Sequence, residues 1–171
     1  MKATYGVGAV LTALAAASAI GVATPSAANA ASGDLVTRPA TVSTNNGVQI
    51  RTAGLRPADD QRFDVARLTT KRTLQSGKYK YTITVQGWRW MDRGPFASCY
   101  EIIPQTLKVN GNNVSISSRS ADGLVATFYA TANRPLSSVQ ARVDRFWTGS
   151  ASSGCKSRPV SNGAFLVSNV G

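Results

Sequence analysis

The chain has 171 residues, with 19 Lys or Arg against eight Asp or Glu, no histidine and two cysteines, for a net charge of +11 at neutral pH. Without histidine, neither a Ser-His-Asp nor a Cys-His catalytic arrangement can be assembled, and two thiols with no imidazole cannot complete a zinc site. Glycoside hydrolysis needs two carboxyl groups flanking one bond, and here a single Glu and seven scattered Asp supply them all.

Residues 1–30 read as a secretory signal peptide. Lys2 is the lone charge, an Ala-rich apolar stretch runs from Val7 to Val22, and Pro25 precedes Ala28-Asn29-Ala30, whose small residues fit signal peptidase and place cleavage after Ala30. The other reading, a transmembrane anchor, needs roughly 20 strongly apolar residues, and this stretch is shorter and rich in Ala and Gly. No later segment is apolar enough to span a bilayer, so the expected product, residues 31–171, is extracellular. Arg and Ala are favoured over Lys and Ile, as in GC-rich Gram-positive bacteria.

Residues 31–46, small and polar, are expected to form a flexible N-terminal segment ahead of one domain spanning 47–171. From Gly47 onward, strand patterns recur between turn-forming clusters, and no amphipathic helical period persists over three turns. Val48–Thr52 and Phe63–Thr69 are short candidate strands, with room for one helical turn in 56–64. Lys78–Trp90 is the clearest strand: Tyr79, Tyr81, Ile83 and Val85 alternate with Lys80, Thr82, Thr84 and Gln86. Tyr100–Ile103, Thr106–Val109 and Val114–Ser117 follow, and Asn110-Gly111 between the last two is a hairpin signal. Leu124–Ala130, Val139–Asp144 and Phe165–Ser168 complete about nine strands. Their number and spacing predict an antiparallel, immunoglobulin-like β-sandwich, with a small β-barrel as the alternative.

Cys99 and Cys155 are expected to form one disulfide, since export puts an even number of cysteines in an oxidising space. Asp59, Asp60 and Asp64 form the only acidic cluster. Calcium could use such oxygens, but the spacing matches no calcium loop, and turn capping beside Arg62 and Arg67 is the plainer role. No cofactor or metal is expected.

The densest mix of aromatics and Arg is the segment 86–96, off the end of the best strand. Strict alternation puts Trp88 and Trp90 on the polar face with Lys80 and Thr82, unless Gly87 marks a bulge that swaps the faces. Trp88, Arg89, Trp90 and Arg93 are accordingly the candidate binding residues; the competing assignment packs Trp88 or Trp90 in the core, and Trp147 fits either. Trp88-Arg89-Trp90 also resembles the Trp-Arg-Tyr triplet of the small secreted β-sandwich amylase inhibitors, in which an aromatic-Arg-aromatic hairpin enters the target's active site. The resemblance covers three residues and departs in the third, in disulfide number and in chain length.

The residues thus point to a secreted, non-catalytic binding protein whose partner is an extracellular protein or an anionic cell-wall polymer. Inhibition of an extracellular hydrolase through Trp88–Phe96 is the alternative. Thirteen of the cationic residues are Arg, whose planar fork suits carboxylates and phosphates. Nucleic acid is chemically compatible with this charge, but export argues against it as the native partner.

Overall fold

The computed structural model describes residues 35–91, 97–150, 152, 154–155 and 160–169. They form two antiparallel sheets packed face to face. One sheet has six strands in the order β1 (Leu35–Asn45), β2 (Val48–Pro57), β3 (Ala66–Gln75), β4 (Lys78–Gly87), β9 (Val125–Ala132) and β8 (Ser118–Arg119). The other is ordered β11 (Val160–Asn169), β10 (Val139–Ser150), β6 (Ser98–Val109) and β5 (Arg89–Met91), with β7 (Asn112–Val114) also paired to β6. The first four strands therefore form one meander, whereas an immunoglobulin domain sends its third strand to the opposite sheet.

Local turn chemistry sets the hairpins. Asn46-Gly47, Ser76-Gly77 and Asn110-Gly111 join β1–β2, β3–β4 and β6–β7, and each pair has positive φ at both residues (47° and 75°, 51° and 73°, 48° and 83°). This is the type I′ geometry whose twist matches that of the flanking strands. Between the sheets, Leu55, Leu68, Ile83, Val85 and Phe128 from one side meet Ile102, Leu107, Val139, Val143 and Val167 from the other, all almost fully buried. Tyr81 enters the same core, and its hydroxyl accepts a hydrogen bond from the Leu136 N–H at 3.0 Å.

Two expectations are corrected. Leu35–Asn45, expected to be flexible, pairs with β2 along its length, with a register shift between Arg38 and Thr41 around Pro39. It is an edge strand exposed over most of its length, so the apolar alternation that marks half-buried strands is missing, and proline is tolerated at such an irregularity. The segment 56–64 contains turns rather than a helical turn, and β3 begins at Ala66 rather than Phe63.

Cys99, at the start of β6, is bonded to Cys155 in the turn after β10, with Cα atoms 5.5 Å apart. The bridge spans 56 residues and should stabilise the fold by about 4 kcal/mol in the chain-entropy description. Labelling of the unreduced, denatured protein is expected to detect no free thiol; two labelled thiols per chain would show the bridge to be absent from the purified protein.

Among the described residues, no helix is long and apolar enough to cross a membrane.

Candidate functional site: an arginine cleft at the sheet corner

At the end of β4 the chain passes from one sheet to the other, and Trp88 is the hinge of that passage. Its N–H donates to the Val65 carbonyl at 3.0 Å, while its own carbonyl accepts from the Ile102 N–H at 3.0 Å. Gly87 permits the crossing, because a Cβ there would fall on the Ile102 carbonyl. The passage also explains the fate of the two tryptophans. Trp88 still follows the outward parity of Thr84 and Gln86, and is half-buried. Trp90 has the same parity but belongs to the facing sheet, where that direction points inward.

Trp90 is therefore only 8 % exposed and lies in the core. Its ring stacks on Tyr100 with centroids 4.8 Å apart. Beyond Tyr100, the Arg145 guanidinium lies 5.2 Å from that ring and 5.1 Å from the ring of Phe165. The expectation that Trp90 meets a partner is corrected on this ground, and the aromatic-Arg-aromatic triplet is not presented on one surface. Trp147 is half-buried against the same core. Arg93 lies outside the described residues.

Trp88 and Arg89 instead line an open cleft of about 350 Å³ with Arg56, Arg62, Phe63, Asp64 and Arg67. Asp64 forms its floor. A Cβ on Gly54 would come within 3.0 Å of the Asp64 carboxyl carbon, so glycine there makes room for the carboxylate on the outer face of β2. Gly54 is paired on either side with Arg38 of β1 and Arg67 of β3, and Arg56 follows two residues on along β2, so three guanidiniums meet over one acid. Asp64 Oδ1 accepts from Arg38 Nε at 3.1 Å and Arg56 Nε at 2.9 Å, and Oδ2 accepts from Arg38 Nη2 at 3.2 Å and Arg67 Nε at 2.9 Å. Burial alone would raise this carboxyl's pKa; the hydrogen bonds from Arg56, Arg38 and Arg67, with the charge of Arg38, outweigh it and hold the pKa below its ordinary value.

The rim is fixed in the same way. Arg62 forks onto Asp60 through Nε at 2.8 Å and Nη2 at 2.7 Å, and Arg89 Nη2 reaches Glu101 Oε1 at 3.0 Å. Arg67 lies 5.1 Å from the Trp88 ring centroid, a cation–π contact. Among the described residues, three of these arginines thus share the single carboxylate of Asp64, Arg62 and Arg89 each hold one of their own, and Arg89 also acts on Asp122, beside a half-buried indole and the exposed Phe63. Ordering these side chains before a ligand arrives lowers the entropy cost of binding an anion.

Two of the four sequence candidates, Trp88 and Arg89, are brought together here. Arg38, Arg56 and Arg67 were not among them, because their convergence depends on the pairing register of three strands; nor were Arg62 and Phe63, which come from the turn before β3. The acidic cluster is dispersed among arginines: Asp60 and Asp64 hold ion pairs while Asp59 is exposed. Among the described residues, no group of three or more His, Cys, Asp or Glu is placed to hold a metal ion.

Fold and cleft together define an all-β, disulfide-bridged sandwich with an arginine–aromatic cleft. No protein-family model matches the chain, and neither the curated proteins nor the solved structures give a significant match.

Proposed function

We propose that this is a secreted, non-catalytic binding protein that holds an anionic target of the cell envelope or its surroundings in the Arg56–Arg67–Trp88 cleft. The observation that carries the reading is the convergence of Arg38, Arg56 and Arg67 on the single carboxylate of Asp64. The six strands of that sheet reinforce it, since they contain nine Lys or Arg and no acidic residue. Guanidiniums whose Nε atoms are tied to Asp64 are held in fixed orientations, and Trp88 offers a flat apolar surface for the uncharged part of a ligand. Export is supported by the N-terminal thirty residues and is compatible with the disulfide. A binding rather than catalytic role is supported by the absence of histidine and by the engagement of Asp60, Asp64 and Glu101 with arginines, which disfavours each as a general base.

Purified wall teichoic acid is a suitable probe. Binding should weaken at least tenfold as salt rises from low to above physiological concentration. It should weaken a further tenfold when Arg62, whose side chain is 69 % exposed, is replaced by Gln together with Trp88→Ala. Binding that ignores both salt and these substitutions would refute the proposal.

A further inference from the structure

We infer that the cleft is one end of a longer track, and that its ligand is an extended polysaccharide bearing acidic groups, laid along the strands of the six-stranded sheet. The inference rests on the cleft reading above and adds a second contact point to it. On the outer face of that sheet, pairing register arranges side chains in parallel rows. The first row contains Arg38, Gly54, Arg67 and Gln86 at the cleft. The second is a line of hydroxyls across all six strands: Thr41, Thr52, Thr69, Thr84, Thr127 and Ser118. The third places Lys71, Thr82 and Tyr129 side by side, and the fourth Thr73, Lys80 and Thr131.

These last two rows line a second cavity, of about 440 Å³, in which Tyr129 stands 63 % exposed, with Lys71 across Thr82 from it and Lys80 in the next row of β4. Like the cleft, it gathers an exposed aromatic ring and two cationic side chains in one cavity. From Arg67 to Lys71 is four residues along β3, roughly 13 Å, which exceeds the reach of one sugar unit and suits a short run of them. The floor between is made of threonines, which present hydroxyl donors and acceptors without a bulky side chain in the way.

A sugar ring with an acidic substituent uses all three features. Its C–H face stacks on Trp88 or Tyr129, its acid pairs with Arg or Lys, and its hydroxyls meet the threonine row. A small anion would use only one end. Single-stranded nucleic acid would want aromatic platforms for successive bases, whereas here a hydroxyl floor separates the two rings. The shared ligand chemistry is a glycopolymer carrying carboxylates or phosphodiesters, and the charge of the six strands, cations with no acids, complements it.

The test compares affinity for digalacturonate, polygalacturonate and purified glycosylated wall teichoic acid at fixed ionic strength, with inorganic polyphosphate and oligothymidylate as controls. The wild-type protein should bind one or both polymers at least tenfold more tightly than the disaccharide, as two linked contacts require; the tighter polymer identifies whether the acid is a uronate or a phosphodiester. Tyr129→Ala with Lys80→Gln, at exposed positions and checked for unchanged melting, should bring polymer affinity down to about that of digalacturonate for the same variant. Trp88→Ala should weaken both. Polymer affinity indifferent to the Tyr129/Lys80 change would overturn the track and leave the cleft reading standing. Failure of every anion to bind would remove the cleft itself. Equal binding of polyphosphate would show that charge alone is read, and tighter binding of oligothymidylate would reassign the track to nucleic acid; either result overturns the polysaccharide.

Discussion

Trp90→Ala should destabilise the protein by about 3–5 kcal/mol, the range for removing a large buried aromatic side chain. Trp88→Ala, two residues away, should cost no more than about 2 kcal/mol. The difference follows from the sheet crossing at Trp88. Trp90 is enclosed by the core and stacked on Tyr100, so its removal leaves a cavity beneath the Tyr100–Arg145–Phe165 stack. Trp88 is half-buried, and its cation–π contact with Arg67 contributes roughly 0.5–1 kcal/mol. Urea denaturation of the two single variants should show a lowered midpoint for Trp90→Ala with little change in slope, and a smaller displacement for Trp88→Ala. Equal, small losses at both positions would mean that Trp90 is not a core residue and that the chain does not change sheets where described.

The contrast between these two residues marks what the sequence made legible. Patterns that operate within a few residues came through: the positive-φ pair Asn110-Gly111 is a turn, the alternation from Tyr79 to Val85 is a half-buried strand, and the two cysteines are joined. Features that depend on which strand lies beside which did not. Trp88 and Trp90 share a parity, and only the transfer of the chain to the facing sheet turns one outward and the other inward. Gly87 was the local sign of that transfer, since no side chain fits against the Ile102 carbonyl. The strand β1 was missed because an edge strand wet on both faces has no apolar alternation to display. The cleft was half legible: Asp60 and Asp64 were expected beside Arg62 and Arg67, but Arg38 and Arg56 reach Asp64 from β1 and β2, and nothing in the spacing of 38, 56 and 64 announces it.

Asp64→Asn should be the most consequential change in the cleft. The side chain is only 3 % exposed and neutralises one of three guanidiniums. Its replacement leaves Arg38, Arg56 and Arg67 facing one another with no counter-charge. Breaking a buried pair from one side costs about 3–5 kcal/mol; because Arg56 and Arg67 reach solvent, the expected loss is nearer 2–3 kcal/mol. The loss should also depend on pH. Asp64 has a folded-state pKa below its unfolded value, so its contribution is complete above the unfolded value of about 3.9 and disappears as pH falls through the folded one. Denaturation midpoints of wild type and Asp64→Asn should therefore be far apart at pH 6 and converge as pH drops below about 4; a constant gap would remove Asp64 as the acid-sensitive group. The variant tests the cleft as well, because three unneutralised guanidiniums form a site for a free anion. Added phosphate should then raise the melting temperature of Asp64→Asn more than that of the wild type, by the mass-action stabilisation that any native-state ligand confers.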